Sequence, residues 1–180
     1  MRLPSSQGAQ IERWGAVMSG KQFAIWIGAV LSLAGVVCAA DQMPKSGSFT
    51  VHSGWKSIGE MTPAADGRMY GNGSFWGIAY NDKGAGPLHS GPVICPYTLE
   101  TIQGAGTAQG HCAWSDRDGD KIFTDWTSQL AASGALEGMN KITGGTGKYS
   151  GIQGKAPFQC QALNANGQWV CTQQFEYRLP

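Results

Sequence analysis

The chain has 180 residues, which is room for one domain, and 42% of them are hydrophobic while only 14% are charged. This hydrophobic content supports a packed core and excludes a disordered chain. The formal net charge of +1 excludes nucleic-acid binding through a strongly basic surface, and the 27 glycines follow no three-residue period, which excludes a collagen-like helix.

Residues 1–40 have the features of a secretory signal peptide. The uncharged run 23–37 follows Lys21 and precedes the small residues Cys38, Ala39 and Ala40. A bilayer-spanning helix takes about 20 apolar residues, and this run is shorter. We expect cleavage after Ala40, with cleavage after Ala39 as the near alternative. A lipoprotein acylated at Cys38 is less favoured, because two valines are a poor approach to that cysteine.

Cleavage changes the charge balance of the chain. It removes three of the 13 basic residues and one of the 12 acidic residues, which leaves ten and eleven. The leader is long and mixed over residues 1–17, so Met18 is an alternative start. We therefore expect an almost neutral protein, exported to the periplasm or secreted, with no membrane span in its mature form. Residues 41–47 are interpreted as a short linker and residues 48–180 as one domain.

From residue 48 onward, apolar residues recur with the period of two that is typical of β-strands. No segment after residue 45 has helical spacing over ten residues. The alternation predicts strands at 48–61, 68–81, 92–102, 111–116, 122–126 and 169–177. Turn signals separate them, because Gly, Asn and Asp tolerate positive φ. The signals are Ala65-Asp66-Gly67, Asp82-Lys83-Gly84, Gln103-Gly104, Asp118-Gly119 and Asn166-Gly167.

Seven or eight strands at this spacing predict a sandwich or a closed barrel. We favour an all-β fold, a single up-and-down antiparallel β-barrel of about eight strands, because glycines recur on one face of the second strand. Glycine relieves crowding where a strand coils tightly. Tyr70 and Trp76 lie on the other face of that strand, and we expect aromatic side chains to line or cap the interior.

Four cysteines remain after cleavage, and an even number in an exported domain predicts two disulfides. Four buried free thiols are the alternative. Cys95 and Cys112 are symmetric about Gln103-Gly104, and Cys160 and Cys171 are symmetric about Ala165-Asn166. Residues opposed across a hairpin approach closely enough to be bridged. Among the three ways to pair them, we therefore predict Cys95–Cys112 and Cys160–Cys171.

The segment 116–120 (DRDGD) resembles the first half of a calcium loop. That loop needs Gly and Glu where this chain has Lys121 and Thr127, so an acidic turn that caps backbone amides explains the segment better. His52, His89 and His111 have no zinc-site spacing. There is no nucleophile elbow, and residues 144–148 lack the phosphate-loop spacing. The sequence predicts neither a metal site nor a cofactor, and it names no catalytic residue.

Glycine is dense in residues 144–154, at a cost that a regular strand or helix does not tolerate. We expect a tight, ordered turn that returns the chain to the barrel and buries Tyr149 and Ile152. The turn is interpreted as architectural, so Lys148 is expected to be dispensable for both stability and binding.

The same segment, ITGGTGKYSGIQG at residues 142–154, resembles the glycine-rich segment of the allene oxide cyclase and dirigent proteins. Residues 112–116, the DGD turn and residues 122–126 are similar to the strand pair before it in small bacterial exported relatives of that barrel class. The similarity covers about residues 68–158. It implies an eight-stranded barrel with an apolar cavity, in which cyclases fold a fatty-acid epoxide and dirigent proteins position phenolic intermediates. Their polar cavity residues do not align here, so no catalytic residue is carried over.

Three functions are compatible with such a barrel. The first is binding of a small hydrophobic or aromatic molecule in the cavity. The second is a cofactor-free isomerase, cyclase or lyase. A tyrosine or carboxylate with a strongly shifted pKa in an open cavity would favour it. The third is a structural or interaction protein of the envelope with a filled barrel. The oligomeric state is left open. The candidate ligand-binding residues are Arg68, Tyr70, Trp76, Tyr97, Glu100, Trp114 and Trp126.

Overall fold

The computed structural model describes residues 43–180. Eight antiparallel strands follow one another around a closed barrel, and the last pairs with the first. The predicted all-β, up-and-down barrel is confirmed. The predicted signal peptide lies outside the described residues. The strands are β1 (Ser46–Pro63), β2 (Arg68–Asn81), β3 (Gly91–Ile102), β4 (Ala105–Ser115), β5 (Lys121–Leu130), β6 (Ala135–Gly145), β7 (Gln153–Ala162) and β8 (Gln168–Arg178).

Several boundaries differ from those expected: β4 begins at Ala105 rather than at residue 111, and β5 ends at Leu130 rather than at residue 126. β1 begins at Ser46, two residues before the predicted domain start, because it pairs with β8 from its first residue. All five predicted turn signals fall between strands. Within residues 43–180, no helix has the length and apolar character needed to cross a membrane.

The connections between strands alternate between the two ends of the barrel. Four connections, at residues 64–67, 103–104, 131–134 and 163–167, meet at what we call the open end. The other three, at residues 82–90, 116–120 and 146–152, lie at the closed end together with the first residue of β1 and the last of β8. Side chains fill the barrel at the closed end and leave its interior accessible at the open end.

Inward-facing glycines make room for aromatic rings inside the barrel. A Cβ atom on Gly77 would lie 2.6 Å from the ring of Trp55, and one on Gly138 would lie 2.6 Å from the ring of Phe158. Such distances are shorter than packed carbon atoms allow. The glycine face of β2 is therefore its inner face, and the rings that occupy the space over its glycines come from neighbouring strands.

This arrangement corrects one expectation about β2. Tyr70 and Trp76 are out of phase with the inward glycines, and about half of each side chain is exposed on the outer face. The prediction that they line the interior is wrong, because alternation assigns opposite faces to the two sets of residues and the glycines take the inner one.

Both predicted disulfides are present. The Cα atoms of Cys95 and Cys112 are 4.1 Å apart, and those of Cys160 and Cys171 are 4.0 Å apart. Each bridge joins neighbouring strands of one hairpin, and the cysteines face the interior. Two such bridges are compatible with an oxidising compartment.

Residues 146–152 form the predicted tight turn and plug the closed end. Gly147 and Gly151 have φ values of +53° and +75°, which side-chain-bearing residues rarely adopt. Tyr149 and Ile152 are almost fully buried there, together with Leu88. The expectation that both residues act as apolar plugs is confirmed.

Asp116 organises the same end of the barrel. Its Oδ1 accepts hydrogen bonds from the amides of Asp118 at 2.9 Å and Asp120 at 3.2 Å, as an acidic turn residue does. Its Oδ2 accepts one from the hydroxyl of Tyr149 at 3.1 Å and lies 2.6 Å from Nζ of Lys148. Burial alone would raise the pKa of Asp116, but these hydrogen bonds and the positive charge of Lys148 outweigh it and hold the pKa below its usual value.

The expectation that Lys148 is dispensable for stability conflicts with this geometry. Asp116 is buried, and removal of Lys148 leaves its charge without the paired cation. We expect Lys148→Ala to lower the free energy of unfolding at pH 7 by about 1–2 kcal/mol, less than for a fully buried pair because Nζ is partly in water. Chemical denaturation followed by tryptophan fluorescence measures this loss.

The loss of unfolding free energy in Lys148→Ala should become smaller as the pH falls. A carboxyl group with a lowered folded-state pKa stabilises the fold above its unfolded-state pKa of about 3.9, and this stability disappears as the pH falls through the lowered value. The difference between Lys148→Ala and the wild type should therefore shrink below about pH 4. Lys155→Ala is the matched control, because its Nζ lies 3.4 Å from the exposed Glu176 and should contribute little. Equal losses for both variants at pH 7 would contradict the assignment.

Candidate functional site

The open end of the barrel leads into a hollow of about 790 Å³. This volume is within the range of roughly 300–1,000 Å³ found for small-molecule sites. Residues on five strands of the barrel supply its apolar wall, and most of them are half-buried. The apolar wall consists of Phe75, Leu99, Leu130, Leu136 and Trp169.

Two hydroxyl groups lie together in this wall. The hydroxyl of Tyr97 is 2.8 Å from Oγ of Ser57, and the ring of Tyr97 lies 4.6 Å from that of Phe75. Glycine again creates the space, since a Cβ atom on Gly73 would lie 2.9 Å from the tyrosine oxygen. The pair offers a ligand both a donor and an acceptor inside apolar surroundings.

The rim of the hollow is polar and tied together. The amide of Ser57 donates to the carbonyl of Gly167 at 2.7 Å, and Nζ of Lys56 donates to the carbonyl of Asn166. Within the loop, the amide of Asn166 donates to Oδ1 of Asn164 at 2.9 Å. These bonds fix the β7–β8 loop against β1, so the rim is preorganised, and the cation of Lys56 already has an acceptor.

A smaller cavity of about 40 Å³ lies deeper in the barrel, lined by both disulfides and several aromatic rings. Three of its lining residues carry indole N–H groups that are buried. Those of Trp55 and Trp114 donate to Oγ of Ser53 and Oγ1 of Thr124, at 2.7 and 3.0 Å. The N–H of Trp126 has no partner among the described residues.

An unpartnered buried donor costs about 1–3 kcal/mol, so it is a position where an acceptor atom would be favourable. Phe75, Leu136 and Trp169 line both the hollow and the deeper cavity, and they form the boundary between the two. A ligand or a water molecule that passes this boundary would find the indole N–H of Trp126 free to donate.

The structure brings together only some of the residues predicted for the site. Tyr97 lies in the hollow, and Trp114 and Trp126 line the deeper cavity. Arg68 and Glu100 form an ion pair near the outer surface of the open end, about two-fifths exposed. Tyr70 and Trp76 are on the outer face, as described above.

Sequence reasoning missed several residues of the hollow. Phe75 shares the phase of Gly73 and Gly77, so the glycine face of β2 would have identified it as inward-facing. Trp169 belongs to the predicted last strand, where alternation with Cys171 places it inside. The pairing of Ser57 with Tyr97 had no signal in the sequence, because the two are 40 residues apart and meet only through the strand register.

The groups with displaced pKa values lie away from the hollow. The pKa of Tyr149 is raised by burial and by the negative charge of Asp116, and the pKa of Tyr177 is raised by burial. Burial would lower the pKa of Lys148, but its two aspartate partners raise it. All of these groups are at the closed end. Among the described residues, those lining the hollow include no carboxylate and no histidine.

The chain matches no family model, and no curated protein is similar enough in sequence to count as a relative. The resemblance to allene oxide cyclase and dirigent proteins therefore stays a prediction. Arguments about function rest on the geometry of the hollow itself.

Proposed function

We propose that this protein binds a small, neutral, apolar or aromatic molecule in the hollow at the open end of its barrel, after export to the periplasm or the exterior. The observation that carries the proposal is a combination of three features of the hollow. It has an apolar wall, a volume of about 790 Å³, and one hydrogen-bonded polar pair within that wall, Tyr97 with Ser57. Ligand sites combine these features.

The polar groups favour a neutral ligand that carries one or two oxygen atoms. The hydroxyls of Tyr97 and Ser57 can exchange hydrogen bonds with such an oxygen, and rings at the wall can stack on an aromatic body. The indole N–H of Trp126 offers a further donor to a ligand that reaches the deeper cavity. An anionic ligand is less favoured, because Lys56, which is exposed at the rim, is the only cationic residue among the described residues that line the hollow.

The distribution of titrating groups supports binding over catalysis. Proton-transfer enzymes place a group with a tuned pKa beside the substrate. Here the shifted groups Asp116, Lys148 and Tyr149 hold the closed end together, at the far side of the barrel from the hollow. A wholly filled structural barrel is disfavoured because only the closed end is plugged.

Binding of a neutral fluorescent probe tests the proposal. N-phenyl-1-naphthylamine, which fluoresces on leaving water, should bind with saturation at one site per chain. Leu130→Trp fills the half-buried wall of the hollow with a larger side chain and should weaken probe binding at least tenfold. Fluorescence titration measures both affinities.

Ile102→Trp is the matched control. Ile102 is at the same end of the barrel, but it is 47% exposed on the outer face, so this variant should bind like the wild type. Unsaturable binding, or equal affinities for the wild type and Leu130→Trp, would show that the hollow is not the site. Mass spectrometry of small molecules that remain with the purified protein would then identify the natural ligand class.

A further inference from the structure

Half of the large exposed apolar side chains of the described barrel are gathered on one part of its outer surface. Of the twelve such residues within residues 43–180, six lie on β2, β3 and β8 or just before β8, and they are 38–59% exposed. A contiguous apolar surface of this kind marks an interaction site more often than scattered residues do. We call these residues the outer patch: Trp76, Ile78, Tyr80, Ile94, Leu163 and Val170.

The outer patch surrounds a shallow depression of the outer surface above Gly54. The strand register places Gly54 between Val170 of β8 and Ile78 of β2. A Cβ atom on Gly54 would meet nothing within 4 Å, so the absence of its side chain serves no packing within the chain. Gly54 instead lies in the floor of a shallow, open space of about 640 Å³, bordered by apolar groups.

We propose that the outer patch is the interface of a symmetric dimer, in which a second copy of this chain packs the same patch face to face. Half-exposed side chains of this size contribute on the order of 100 Å² each, so the patch offers about 600 Å² per copy. Two copies together would bury about 1,200 Å², the lower limit for a specific and stable interface. The apolar centre agrees with the composition of homodimer interfaces.

The charges at the two edges of the patch select the orientation of the partner. Lys56 flanks Gly54 on the side of the open end, and its ammonium keeps two N–H groups besides the one it donates to the carbonyl of Asn166. On the side of the closed end is Asp82, which carries a hydrogen bond from His52 at 2.6 Å and remains 43% exposed. These charges are opposite in sign and lie on opposite sides of Gly54.

One two-fold axis pairs the opposite charges at both edges of the patch. It lies in the plane of the interface, passes over β1 near Gly54, and is at right angles to the strand. It reverses the strand direction between the copies and brings Lys56 of each toward Asp82 of the other. An axis parallel to the strand would instead bring the two Lys56 side chains together. Both axes keep the facing strands nearly aligned, as packed sheets require, so the charges decide between them.

Sedimentation of the protein, purified after expression of the full chain, tests the proposal. The wild type should be dimeric at tens of micromolar. Ile78→Glu places two charges in the centre of the interface, one from each copy, and should weaken dimerisation at least about a hundredfold. Ile102→Glu is the matched control, because Ile102 has the same 47% exposure outside the patch, and its dimer should persist.

Two further variants test the orientation. Lys56→Glu should weaken the dimer, and the added change Asp82→Lys should restore it. A short bismaleimide should cross-link Gly54→Cys into a covalent dimer, whereas Thr127→Cys, on the opposite side of the barrel, should stay monomeric on denaturing gels. A monomeric wild type at 200 µM, equal effects of the two isoleucine variants, or cross-linking through Thr127→Cys would overturn the proposal. A monomer that binds lipid vesicles through Ile78 would also overturn it, and would assign the patch to a membrane surface.

Discussion

Gly77→Ala should lower the free energy of unfolding by about 3 kcal/mol, although it adds a single methyl group. The new Cβ atom would lie 2.6 Å from the ring of Trp55 and 2.7 Å from the carbonyl oxygen of Gly54. A buried ring and a paired strand are both hard to displace, because the interior is close-packed. Either the ring leaves its position over β2 or the β1–β2 pairing opens.

Gly54→Ala is the control for this prediction. Gly54 belongs to the same strand pair but faces outward, has no positive φ, and has nothing within 4 Å of the added atom. The same substitution should therefore be neutral or stabilising by up to about 1 kcal/mol, since alanine restricts the unfolded chain. Urea denaturation of both variants at the same low micromolar concentration compares them. Equal effects would contradict the assignment of Gly77 to the interior.

The strand order of the barrel was largely predictable because six of the seven connections between the strands carry their own local signal. The period of two in β1, β2, β3 and β8 and the glycine-containing turns both depend on neighbouring residues only. Symmetry of the cysteines about two turns then identified the disulfide partners, since pairing across a hairpin is fixed by the turn.

Strands β6 and β7 gave no comparable signal. The inward face of β6 carries Leu136, Gly138, Asn140 and Ile142, so a small and a polar residue interrupt its apolar alternation. Asn140 is buried because its Oδ1 accepts a hydrogen bond from Thr124 on β5 at 2.9 Å. A buried polar residue that depends on a neighbouring strand cannot be distinguished from an exposed one in the sequence alone.

The candidate site was less predictable than the fold for a related reason. Trp76 and Phe75 are adjacent aromatic residues, yet only Phe75 faces the hollow. Hydrophobicity alone favours neither, and the choice depends on which face the glycines occupy. The outer patch misled the prediction for the same reason, because aromatic residues that serve a surface look like core residues when a strand is considered alone.

Removal of the disulfides should have the other large effect on stability. The bridges close loops of 17 and 11 residues, and the chain-entropy model gives roughly 3 kcal/mol for each, slightly more for the longer loop. The paired substitution Cys95→Ala with Cys112→Ala should therefore cost about 3 kcal/mol, and Cys160→Ala with Cys171→Ala slightly less. Urea denaturation measures both losses.

The four cysteines also line the deeper cavity, so each pair of substitutions enlarges a space that already holds no packed side chain. When both bridges are removed, the losses should add to about 6 kcal/mol, which is comparable to the whole stability of a small domain. We therefore expect the variant without both bridges to be largely unfolded by circular dichroism, and the wild type to behave in the same way after reduction. A reduced protein that keeps its barrel would show that inward packing alone, with Trp55 and Phe158 seated over their glycines, holds the strands together.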